Sequence, residues 1–107
     1  MKILELRHKH PEQKATIPIR KISEVIESVE YGVVDYNGLH NTKRLTYTVR
    51  LDSGTEHLID GAEKIFEISY RKENPNEINN AGVVKIEKEI VLEDFYEWYL
   101  TQIAEEN

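Results

Sequence analysis

An α+β domain is the fold class this 107-residue sequence predicts: mainly an antiparallel curved sheet or partly open small β-barrel, packed with one C-terminal helix. Three observations predict it. Alternating apolar and polar residues flank a tight turn at Leu45–Gly61, further β-branched alternating runs lie on either side, and an apolar stripe of helical period closes the chain.

The hairpin is the clearest element. Leu45, Tyr47, Val49 and Leu51 alternate with Thr46, Thr48 and Arg50, and Asp52-Ser53-Gly54 fits a type I turn closed by a left-handed glycine. A three-residue loop pairs Arg50 with Glu56, Val49 with His57 and Tyr47 with Ile59. This register sends Leu45, Tyr47, Val49, Leu51 and Ile59 toward a core and leaves Arg50 facing Glu56 on the solvent side. Before it, Ile3–Arg7 reads as a strand with Leu4 and Leu6 tending inward, and Ala15–Ile19 as a second strand ended near Pro18. Residues 21–36 fit both periods. The expectation is a helical turn near Arg20–Glu24 and then an extended stretch to Tyr36. Asn37-Gly38 signals a turn, with a polar loop over Leu39–Arg44.

After Gly61, Phe66, Ile68 and Tyr70 alternate as a strand, with or without one preceding helical turn. Arg71–Gly82 reads as a mobile loop and Val83–Val91 as a last strand. Leu92, Phe95, Tyr96, Tyr99 and Ile103 then give a helix over about 92–104. Glu93 and Asp94 suit its first turn, while Glu105 and Glu106 oppose its dipole and favour fraying of the last. One domain spanning 1–107 is the natural count.

Composition narrows the chemistry. The absence of cysteine excludes disulfides, thiol catalysis and cysteine-held metals. No stretch approaches the roughly 18 apolar residues of a membrane span, and the first residues do not read as a signal peptide, so a cytoplasmic protein without membrane partners is expected. The wealth of Lys, Glu, Ile and Asn fits a bacterial source or one of its mobile elements. Net charge is −6, yet residues 1–21 hold six bases and two acids, a net of +4.

Candidate chemistry is sparse. His8 and His10 share a strand face but lack a third ligand at fixed spacing, so no metal is expected. His57 reads as a satisfied core histidine rather than a general base. The serines have no nucleophile-elbow setting, and the scattered glycines build no phosphate-cradling loop. A non-enzymatic role without a cofactor is expected.

Two binding regions remain. Arg7, Lys9, Lys14, Arg20, Lys21, Lys43 and Arg44 are candidate phosphate contacts for a regulatory module that binds nucleic acid, RNA in particular. Alternatively, the acidic C-terminal helix meets a protein partner through Trp98, Asp94 and Glu97, as a modulator or inhibitor from a phage or plasmid would. The bland reading of Trp98 is an indole lying flat on the core rim, its N–H near solvent. The exposed hairpin edge leaves homodimerisation open.

Ile17 to Glu27, followed by strand–turn–strand over Tyr47–Asp60, resembles the opening of LytTR-type DNA-binding domains over less than half of the chain. The segment those domains use for base contact has no counterpart in Val83–Ile103, so no site residue is carried over. The order of strands also resembles small SH3-like and PUA-like barrels.

Overall fold

The computed structural model describes residues 2–9, 12–35, 39–72 and 82–106, apart from the side chains of 33–35, 39–42 and 106. In chain order the elements are β1 (Lys2–Lys9), β2 (Glu12–Pro18), a 3-10 turn (Ile19–Lys21), β3 (Ile22–Asp35), β4 (Leu39–Leu51), β5 (Glu56–Ile59), β6 (Lys64–Lys72), β7 (Val83–Ile90), a second 3-10 turn (Leu92–Asp94) and α1 (Phe95–Glu106). The strands form two antiparallel sheets, ordered β2-β1-β6-β7 and β3-β4-β5. They do not close into a barrel: no ladder joins β2 to β5.

The core lies between the inner faces of the sheets, with α1 contributing its apolar stripe. Leu4, Leu6, Ile17, Ile65 and Ile90 come from one sheet, and Tyr47, Val49 and Ile59 from the other. Phe95 and Tyr99 enter from α1. Each such side chain contributes about 1.5–3 kcal/mol by leaving water. The Tyr47 ring meets Phe95 at 5.2 Å in a tilted arrangement. Its phenol donates to the Glu27 carboxylate at 3.2 Å. Burial first, and the Glu27 charge second, push this phenol up to about 12.

The hairpin register is the expected one. Arg50 opposes Glu56, Val49 opposes His57, and Tyr47 opposes Ile59. The Leu51 N–H donates to the Thr55 carbonyl, and the Gly54 N–H to that of Leu51. Arg50 holds Glu56 at 3.0 Å and also pairs with Glu24 on β3. Gly54 has φ +91°, with nothing within 4 Å of where a Cβ would sit. Gly54→Ala therefore meets no clash, only left-handed strain, and should cost about 1 kcal/mol in urea unfolding. Gly54→Asn, which tolerates this conformation better, should cost less.

Several expectations need correction. Leu39–Arg44 is not a loop but the first half of β4, laddered to Glu30–Asp35 of β3. Pairing with β3 into a ribbon engages the backbone there, so a polar composition does not mark a break in structure. The face that begins at Val25–Val49 continues through Val29–Leu45 to Tyr31–Lys43, where Tyr31 is 78% exposed. This ribbon helps raise the radius of gyration to 17.6 Å, against about 13 Å for a compact chain of this length.

Arg71 and Lys72 also belong to a strand, paired with Val84 and Val83. The remainder of the expected mobile loop, 73–81, lies outside the described residues, as does the Asn37-Gly38 turn. The helical turn expected near Arg20–Glu24 lies at Ile19–Lys21, and β3 begins immediately after it. The end of α1 is helical through Glu106, because Lys2 on β1 bonds Glu105 at 2.8 Å and offsets the unfavourable dipole.

Trp98 packs on the core, as its bland reading expects, and differs from that reading in where its N–H goes. It lies in the core at 9% exposure, its ring 5.6 Å from Phe95. The indole N–H, expected near solvent, donates instead to Glu67 on β6 at 3.1 Å. The helix packs over the inner face of β6, and a carboxylate placed there by strand alternation receives the only polar atom of the indole.

Candidate nucleic-acid interface

Two pockets lie along β2, the first beside β1 and the approach to β6, the second between β2 and the β4–β5 hairpin. The first, of about 880 Å³, is lined by the facing ends of β1 and β2 and by the Gly61–Lys64 connection. The second, of about 470 Å³, is lined by Ala15–Pro18, Lys21, the Leu51–Ser53 turn and His57.

Three of the seven expected phosphate contacts converge on the first pocket: Arg7, Lys9 and Lys14. The β1–β2 register places Arg7 opposite Lys14, so both project from the same sheet face. The β1–β6 register adds Lys64, directly opposite Arg7 on its other side. Four cations therefore line this pocket against two carboxylates, Glu12 and Glu63. Among the described residues, neither Lys9 nor Lys64 has a carboxylate at ion-pair distance. The Glu63 side chain is only 5% exposed and is already occupied: it accepts the Asp60 N–H at 3.0 Å, and His8 Nδ1 lies 3.5 Å away.

Arg7 and Lys14 are held from beneath by Glu5. Glu5 is 3% exposed although it alternates with Leu4 and Leu6, so both faces of β1 are covered at this point. Its carboxylate accepts from Arg7 Nε at 2.7 Å, and Lys14 Nζ lies 3.4 Å away. Burial alone pushes the Glu5 carboxyl up. Arg7 and Lys14 together outweigh it and leave Glu5 below the ordinary carboxylate range. Arg7 also donates to Glu87 at 2.8 Å, and its guanidinium carbon stands 3.9 Å over the Phe66 ring. Glu87 is held low, first by Lys85 and then by Arg7. This network fixes the arginine in place, and it neutralises part of the charge the pocket offers.

The other expected contacts lie elsewhere. Lys21 lines the second pocket, and its backbone carbonyl accepts the Asp52 N–H at 2.9 Å. Arg20 sits beside it on the same 3-10 turn and is exposed. Lys43 and Arg44 are carried off on the β3–β4 ribbon, with Arg44 3.6 Å from Asp60. Arg44 stands seven residues from Leu51 along β4, about 23 Å of strand, so these two bases do not share a surface with Lys21. Asp94 and Glu97 are exposed on the C-terminal segment, but buried Trp98 cannot join them in meeting a partner. His57, expected in the core, is half-buried at the second pocket, because β5 is an edge strand and nothing pairs beyond it.

Lys64 is the functional candidate that sequence reading missed. It lies far from the basic segment in the chain and is brought there only by β1–β6 pairing. Among the described residues no cluster of three or more metal-ligating side chains is present, and no helix is long and apolar enough to cross a membrane.

The chain matches no protein-family model, no curated protein and no solved structure.

Proposed function

We propose that this protein is a small binding module for single-stranded nucleic acid, RNA in particular, which it takes along β2. The observation that carries the proposal is the convergence of Arg7, Lys9, Lys14 and Lys64 on one open pocket of a chain whose net charge is −6. An acidic protein repels polyanions in general, so a locally positive groove directs the strand to one place and keeps binding elsewhere weak. Glu5 holds Arg7 and Lys14 in fixed positions, while Lys9 and Lys64 form no ion pair with a described carboxylate, and the cations of the pocket outnumber its carboxylates Glu12 and Glu63. The role is one of binding, and it requires no cofactor.

The test is titration of a fluorescein-labelled oligouridine by anisotropy across about 50–200 mM salt. Lys9→Glu combined with Lys64→Glu should weaken binding at least about tenfold. It should also make the salt slope shallower by about 1.4, the share of two phosphate contacts to a single strand. Lys43→Glu combined with Lys72→Glu, outside both pockets, should leave both nearly unchanged. Equal loss in the two variants would show that only overall charge matters and would overturn the proposal.

A further inference from the structure

The second pocket differs chemically from the first, and we infer that it takes a nucleoside of the strand whose phosphates lie in the first; this rests on the nucleic-acid reading above. Lys21 and Asp52 cancel in charge there, so a phosphate gains nothing by entering. Ala15, Ile17, Pro18 and Leu51 supply apolar wall instead, and Ile17 is part of the packed core and cannot retreat. Polar groups stand at the edge: the Ser53 hydroxyl, the Asp52 carboxylate and the His57 ring. Apolar walls with a few placed donors and acceptors suit a nucleobase with its ribose, and about 470 Å³ is ample for that ligand.

Position supports the assignment. The first pocket uses Glu12–Lys14 of β2 and the second uses Ala15–Pro18, so about four residues of strand, roughly 13 Å, separate their middles. That distance lies within reach of neighbouring nucleotides on one extended strand. Among the described residues no Phe, Tyr or Trp lines either pocket, so the base is held by aliphatic walls and edge contacts. Carboxylate and hydroxyl groups at the rim are also the chemistry that meets a ribose 2′-hydroxyl, which is donor and acceptor at once.

The experiment compares two labelled strands of equal length on the intact protein: oligouridine, and the same ribose-phosphate chain without bases. Oligouridine should bind about tenfold more tightly. Ala15→Trp, which enters the second pocket from the β2 face that also carries Ile17, should abolish that preference and leave binding of the abasic strand unchanged. His57→Ala, from the opposite wall, should reduce the preference independently if the Trp variant does not fold. Equal affinity of the wild type for both strands overturns the nucleoside assignment while leaving the phosphate groove intact. Failure of the wild type to bind either strand overturns the nucleic-acid reading and this inference with it.

Discussion

Trp98→Ala should cost about 3–5 kcal/mol of folding stability, the range for deleting a large aromatic side chain from a core. The expectation follows from its burial against Phe95 and from the bond it gives Glu67, whose carboxylate then keeps Lys2, at 3.6 Å, as its partner. Against a typical domain stability of about 5–15 kcal/mol, such a loss brings the chain close to unfolding. Because Trp98 is the only tryptophan, far-UV circular dichroism rather than intrinsic fluorescence must follow the urea transition. Trp98→Phe keeps most of the packing and should lose about half as much. A loss under about 1 kcal/mol for the alanine variant would contradict the core position. The result also bears on function: reduced partner capture by Trp98→Ala would report unfolding, so it no longer tests the protein-partner alternative. Asp94 and Glu97, exposed and chargeable, are the residues through which that alternative can still be examined.

The second large effect is expected at Glu5. Its carboxyl titrates below its unfolded value because Arg7 and Lys14 outweigh the cost of burial. A depressed carboxylate contributes stability that is present above the unfolded pKa of about 4.3 and lost as pH falls through the folded value. Acid should therefore weaken the protein below about pH 4.3, and Glu5→Gln should remove part of that dependence. At neutral pH the same variant should cost about 2–3 kcal/mol. Removing one member of a buried ion pair leaves its partners uncompensated, although the partly exposed Arg7 and Lys14 regain some hydration. Urea midpoints measured from about pH 3 to 7 decide the matter. Asp60 and Glu87 are held low as well, but both lie nearer solvent, so they should leave only a shallow residual slope in Glu5→Gln. A variant with the full wild-type slope would show that Glu5 is not the group that senses acid. Loss of Glu5 should also loosen Arg7, which ties this result to the groove: phosphate binding should weaken through positioning even though negative charge has been removed.

Local sequence determined those parts whose physics is short-range. The Leu45–Gly61 hairpin was legible because alternation, a three-residue loop and one left-handed glycine jointly permit a single register. The C-terminal helix was legible because a stripe at helical spacing needs an apolar face to cover it. Tertiary structure decided what depends on pairing between distant strands. The β3–β4 ribbon escaped because Leu39–Arg44 carries no alternating apolar pattern, and only its pairing with Glu30–Asp35 makes it a strand. Glu5 escaped because alternation assigns one face of β1 to solvent, whereas Phe66 and Thr16 on the neighbouring strands, with Arg7 and Lys14, cover that face. The core-rim place of Trp98 was legible, but the partner of its N–H was not, because helical spacing gives an angle and not the second surface, here Glu67 on β6. The basic residues show the same division. Their excess in residues 1–21 is plain in the sequence, but backbone hydrogen bonding gathers Arg7, Lys9 and Lys14, recruits Lys64 and sends Lys43 and Arg44 away. Charge content is a property of the chain; a charged groove exists only once strand register has chosen which charges meet.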